Sequence, residues 1–295
     1  MTDFGALRAE WAVRAARQGD LGTALGFWTP IIDGWARWPA DALSPLGPLS
    51  WSPADCADRW KRGVPLVVEA KPELPRGPIE ELIGPLIERL AVAGPDEMAG
   101  LRRFAEAWDA GALGPIDLFP TGGWGALSGP FAAGVQERLG VPAPIAAFLA
   151  HAGLRPALET YFSLVRFAPD GVWPSAPCPW CGGPAAYAEV AADGRRRHAC
   201  HLCGGAWPAA PGCCPFCERR QPDVLVPLLA DEVDAGHFVE GCRHCHGYLK
   251  GIDRRGRAQS AGSALVEDWG SPQLDLRAAE QGYRRATPSL AHLVQ

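Results

Sequence analysis

No run of about 20 apolar residues occurs in this 295-residue chain, so nothing in it reads as a membrane span. The opening stretch, MTDFGALRAEWAVRAARQGD, is broken by acids and arginines and has no apolar h-region, so no secretory signal is expected. A basic excess is missing too: 28 Lys and Arg against 33 Asp and Glu leave a net charge of −5. Such a chain has no global pull toward nucleic acid or anionic lipid. There is no Walker loop, no GxSxG, no HExxH and no dinucleotide fingerprint, so no catalytic constellation is legible. Cysteine is nearly absent from the first 177 residues, where only Cys56 occurs.

The remaining composition is that of a folded protein, 47% hydrophobic and 21% charged, and the length suggests two domains. With 35 glycines and 29 prolines, loops should be plentiful. Residues 1–170 read as an all-α helical domain. Asp3 can cap a helix from Phe4 to about Gln18, and Asp20 another through Leu25, Trp28, Ile31 and Trp35. Residues 40–75, dense in Pro, Gly and Trp, read as loop with short helical turns. Pro78 opens a helix through Ile79, Leu82, Leu86 and Leu90, with Pro85 expected to kink it. Asp96 caps one through Met98, Leu101, Phe104 and Trp108. Another is expected over Ala126–Leu139, and a long one from Ile145 to Val165, broken at Gly153–Pro156. These faces fit a helical bundle. Residues 167–177 read as a linker. From 171 to 295 the pattern turns to short segments separated by turn residues: AAYAEVAA, RRRHAC, DVLVPLLA and HFVEGC, the mark of small hairpins. Pro272 then opens a closing helix through Leu274, Leu276, Ala279 and Tyr283. The expected fold class is α+β, a helical domain followed by a small metal-stapled β module.

Nine of the ten cysteines lie between 178 and 245. Eight form CxxC pairs: Cys178/Cys181, Cys200/Cys203, Cys214/Cys217 and Cys242/Cys245. In a reducing cytoplasm, where the chain is expected to stay, such thiols point to metal rather than disulfides. A CxxC turn lets two sulfurs reach one ion while backbone amides face them, and two turns complete a tetrahedral site. Gly182 and Gly204 directly follow their second cysteines and permit the left-handed turn this needs. Sequence order pairs the first two motifs across 18 residues and the last two across 24, although interleaved pairing also satisfies the spacing. Two ions per chain follow, and four thiolates suit iron or zinc equally. A closed four-thiolate site leaves no position for substrate, which argues against metal-centred hydrolysis. A redox couple of labile thiols and, for Cys242-Arg-His-Cys245-His246, c-type haem attachment are the weaker rivals.

The strings CPWCGG, CHLCGGAW, CPFCE, CRHCHGYLK and the late GYRR, spanning Pro177 to Arg285, resemble the FdhE family of formate dehydrogenase accessory proteins. Thr287-Pro288-Ser289-Leu290 stands where that family has Asn-Pro before a Leu. The resemblance implies a cytoplasmic, non-enzymatic assembly factor that binds the catalytic subunit of formate dehydrogenase. It implies two knuckle pairs of rubredoxin type on the eight cysteines above, with iron favoured over zinc.

Several residues fall outside these sites. Cys213 beside Cys214 reads as a spare thiol and Cys56 as structural. His201 and His244, inside CxxC pairs, are expected to be exposed. Tyr248 and Lys250 share a strand face and, with His246, form the candidate partner-binding strip. The clusters Arg195-Arg196-Arg197 and Arg254-Arg255 keep a nucleic-acid-binding zinc ribbon as the alternative function.

Overall fold

Asp3 caps the first helix, α1 (Phe4–Ala16), its carboxylate accepting from the Ala6 amide at 3.0 Å. The computed structural model describes residues 2–17, 25–39, 51–68, 73–90, 95–118, 135, 138–163, 171–229, 236–255 and 262–289. Asp20 and nearly all of the helix predicted over 126–139 lie outside them. Among the described residues of the first half, five more α-helices follow: α2 (Thr29–Ala36), α3 (Pro53–Arg62), α4 (Arg76–Leu90), α5 (Pro95–Asp109) and α6 (Ala143–Ser163). Helix α4 runs through Pro85 without a break.

Two expectations are corrected here. The segment read as loop contains α3, opened by a capping box in which Ser52 and Asp55 each accept the other's backbone N–H. The density of Pro and Trp around it hid that signal. Helix α6 is continuous through the break predicted at Gly153–Pro156. Proline at 156 takes away the N–H that would have reached the Ala152 carbonyl. The indole Nε1 of Trp35 replaces that donor at 2.8 Å. Gly153 sits where α4 crosses α6; a Cβ there would lie 2.7 Å from the Ile83 side chain.

Among the described residues the second half holds one six-stranded sheet: β1 (Tyr187–Val190), β2 (Arg196–Ala199), β3 (Ala206–Pro208), β4 (Leu225–Leu228), β5 (His237–Cys242) and β6 (Tyr248–Asp253). Its order is β3-β2-β1-β6-β5-β4. Every pairing is antiparallel except the central β1/β6, which is parallel, with Tyr187 opposite Lys250. The sheet is thus two copies of one three-stranded meander, each with a CxxC turn before its first strand and another between its second and third. Short helices α7 (Ala264–Trp269) and α8 (Pro272–Glu280) follow. Only α8 was expected.

The two halves share a core. The Trp28 ring stacks on Trp269 of α7 at 3.7 Å, and Trp60 meets Trp173 at 4.9 Å. The supposed linker is packed in part: Trp173 is buried and donates to the Pro177 carbonyl at 2.7 Å. The boundary placed at residue 170 falls in a stretch outside the described residues. Among the described residues no helix is long and apolar enough to cross a membrane.

Candidate metal centres

All four CxxC turns close in the same way. The first cysteine's carbonyl accepts from the residue after the second cysteine: Gly182 to Cys178 at 2.9 Å, Gly204 to Cys200 at 3.0 Å, Glu218 to Cys214 at 3.1 Å and His246 to Cys242 at 2.9 Å. The first cysteine's N–H donates back to the residue beyond, from 2.6 Å to Gly183 up to 3.0 Å to Arg219. This geometry requires a left-handed residue at the hinge, and all four have it, with φ of 72°, 76°, 59° and 55°. Two hinges are glycines, as the sequence indicated. Glu218 and His246 adopt the same conformation without that freedom, which only the closed turn makes tolerable.

Pairing follows sequence order. Cys178, Cys181, Cys200 and Cys203 form one group and Cys214, Cys217, Cys242 and Cys245 the other, with sulfurs in each within 4.8 Å of one another. The interleaved alternative is excluded by position. Within the first group Cys178 meets Cys203, and Cys181 meets Cys200, both at 3.5 Å. Within the second the corresponding distances are 3.7 and 3.8 Å. Sulfurs about 2.3 Å from a central ion stand about 3.8 Å apart on a tetrahedron. Both groups have close to that spacing, so each can hold one metal ion.

The chemistry of the donors agrees. Burial pushes the Cys178 and Cys181 thiols well up. Cys200 suffers the same burial, but hydrogen bonds from Cys178, Cys181 and Cys203 outweigh it and bring it down. In the second group the hydrogen bond to Cys214 brings Cys245 down to about 5 while the same contact raises Cys214. Four crowded thiols without a cation keep most of their protons; a divalent ion lets all four ionise.

Cys213 is no fifth ligand. Its thiol faces the carbonyls of Cys214 and Glu218, each at 3.7 Å. Cys56 is buried in α3, where burial raises its thiol. His244 is exposed as expected, but His201 is not. It is buried, its Nε2 2.8 Å from Asp268 Oδ2, because α7 packs over its turn.

Tyr248 and Lys250 also require correction. They share a face of β6, but they are 2% and 1% exposed and offer no surface to a partner. Lys250 Nζ lies 3.0 Å from Asp268 Oδ1 and 2.9 Å from Asp275 Oδ2. Tyr248 donates to Asp275 at 2.7 Å. Arg285 completes the cluster, bonded to Asp275 at 2.6 Å and to Asp268. Thr287 and Ser289 are buried in it, at 2.8 Å from Arg285 and 2.9 Å from Asp275. The GYLK and GYRR strings therefore tie α7, α8 and the chain beyond them onto the central strand pair. Nothing in the sequence said that two aspartates of α7 and α8 would meet this lysine.

Four of the five arginines in the basic clusters are paired with carboxylates, and the fifth, Arg197, is exposed and donates to the Ala206 carbonyl at 3.3 Å. Arg195 pairs with Asp193 at 2.6 Å, Arg196 with Glu240 at 2.6 Å, Arg254 with Glu189 at 2.8 Å and Arg255 with Asp253 at 2.5 Å.

No family model matches the chain. Among known proteins it is similar to the protein FdhE homolog of Pseudomonas aeruginosa, 33% identical over 124 residues, which is 38% of each chain. The FdhE homolog of Pseudomonas putida is 31% identical over 162 residues, 51% of this chain and 49% of that one. These matches span no more than about half the length of the curated relatives. The crystal structure of the FdhE protein from Pseudomonas aeruginosa shares the fold, with a TM-score of 0.57 at 23% identity over 98% of this chain and 95% of that chain. The chain is thus similar in sequence to several FdhE homologues over part of its length and shares the fold of an FdhE protein over nearly all of it.

Proposed function

We propose that this protein is a non-enzymatic accessory factor that binds the catalytic subunit of formate dehydrogenase during its maturation in the cytoplasm. The observation that carries the reading is the pair of closed four-cysteine sites. Each satisfies an ion fully from the chain, so the ions fix loops rather than receive substrate. The eight paired cysteines would hold the two ions, and iron, favoured by the family resemblance, would add one-electron chemistry when bound. Each ion would contribute on the order of 10 kcal/mol to folding. The pairing of Arg195, Arg196, Arg254 and Arg255 removes the main support for nucleic-acid binding.

Two measurements test this. Protein purified without air should contain two metal ions per chain; iron would colour it red when oxidised, and zinc would leave it colourless. Cells lacking the protein should lose formate oxidation, and tagged protein should capture the unfinished catalytic subunit but release the finished enzyme. Normal formate oxidation in the deletion strain would refute the reading.

A further inference from the structure

The two copies of the meander hold the same four-thiolate site but differ in what covers it. The first copy is enclosed. The Pro179 and Trp180 carbonyls accept from Leu66 and Val67 at 2.8 and 2.9 Å, and Arg155 donates to the His201 carbonyl at 2.8 Å. A Cβ on Gly205 would lie 2.5 Å from the Trp180 ring. The second copy faces outward. Cys217 and Cys245 are partly exposed, and Arg219, Arg220, Arg243, His244 and His246 around them are exposed. Arg284, also exposed, joins this tip: its N–H donates to the His246 carbonyl at 2.7 Å.

Ion pairing also differs between the two. Of the arginines of the first copy and of the sheet, Arg195, Arg196, Arg254 and Arg255 each have a carboxylate within about hydrogen-bond distance, and Arg197 donates to the Ala206 carbonyl at 3.3 Å. At the tip, Arg219 and Arg284 have no ion-pair partner among the described residues. Arg243 reaches Asp223 only at 4.0 Å, and Arg220 donates to the Pro174 carbonyl at 3.0 Å. The other acid there, Glu218, is exposed but engaged by its neighbours, accepting from Ser175 Oγ at 3.0 Å and the Ala176 N–H at 2.7 Å.

A divalent ion in four thiolates carries two negative charges, and the arginines could serve only to offset them. The first copy argues otherwise. Its turns, Cys178-Pro-Trp-Cys-Gly-Gly and Cys200-His-Leu-Cys-Gly-Gly, carry the same charge with no cationic side chain in them. We propose that the tip of the second copy is a docking surface for an acidic segment of a partner protein. The closed turns hold the cations in place, so docking orders little backbone. Nucleic acid is the poorer fit. The chain's net charge of −5 opposes a polyanion at long range, Phe216 is buried, and Tyr283 is half-buried against His246 at 5.6 Å, so neither the Phe216 nor the Tyr283 ring is free to stack a base. The identity of the partner as the formate dehydrogenase catalytic subunit rests on the reading above; the chemistry of the surface does not.

The test uses the full metal-loaded chain and a fluorescein-labelled 12-residue peptide containing eight Asp and Glu, followed by anisotropy across a salt series. Arg219→Glu with Arg284→Glu should raise the Kd at least about tenfold with metal content unchanged. Arg195→Glu with Arg255→Glu, an equal change of charge at paired positions, should change it less than about twofold. Equal losses in both variants, no binding of the peptide, or tighter binding of a 12-nucleotide single strand would each overturn the proposal. Capture of the catalytic subunit separates the two readings. If wild type captures it and the tip variant does so equally, the docking proposal fails and the function stands. If wild type binds the peptide but not the subunit, the functional reading fails and the acidic-segment surface stands.

Discussion

Arg155 Nη1 donates to the carbonyl of His201 at 2.8 Å, so the long helix of the first half grips a turn of the first cysteine site. The same guanidinium pairs through Nε with Glu159 at 2.9 Å, both groups buried. Arg155→Met keeps the stem but strands Glu159 without a counter-ion, a loss of about 3–5 kcal/mol for a buried pair with one partner removed. Urea denaturation should show that loss. With zinc loaded at both sites, a chromogenic chelator should empty the exposed second site first in wild type. In the variant the first site should release at a rate closer to the second.

Trp35 and Pro156 should be energetically coupled, since Trp35 supplies the donor that Pro156 lacks. Trp35→Phe leaves the Ala152 carbonyl buried and unpartnered, at a cost of about 1–3 kcal/mol beyond lost packing. Pro156→Ala restores an N–H one turn on. In that background Trp35→Phe should cost measurably less, and a double-mutant cycle by chemical denaturation reads the difference. A coupling of zero would mean the indole bond does not matter.

The cluster of Lys250, Asp268, Asp275 and Arg285 should behave as structure, not as surface. Lys250→Ala leaves two buried carboxylates sharing one arginine and is expected to destabilise by about 3–5 kcal/mol. Tyr248→Phe loses one charge-assisted bond, about 1.5–3 kcal/mol. Thermal melts of metal-loaded protein check both. An unchanged melting temperature for Lys250→Ala would contradict the buried network.

Acid should destabilise the protein in two stages. Burial lowers the His151 imidazole to about 4, whereas an unfolded histidine titrates near 6.5. Between those values the unfolded chain takes up a proton the folded one refuses, so stability falls as the pH drops from about 6.5 to 4. For Asp268 and Asp275, burial raises the carboxyls but is outweighed by Arg285 and Lys250, which hold them below their ordinary range. Their contribution is present above the unfolded value of about 3.9 and is lost as the pH falls below it. Denaturation midpoints across pH, with His151→Gln for comparison, should show a shallower slope from 6.5 to 4 in the variant and the same steep loss below 4.

What the sequence alone determined is what near neighbours decide. The CxxC spacing, the Asp3 cap and the glycines at two hinges need only residues a few positions apart, and each stands where it was read. So does the α+β class, because cysteine and turn residues change abruptly at one place in the chain. The tertiary structure decided the rest. Whether Tyr248 and Lys250 face a partner depends on what covers β6, and Asp268 and Asp275 arrive from helices about 20 residues away to cover it. Whether Pro156 breaks a helix depends on a donor from Trp35, more than a hundred positions earlier. The parallel join of β1 to β6 and the burial of one metal site but not its repeat are also contacts between distant segments. Their energies come from surfaces that exist only once the chain has closed on itself.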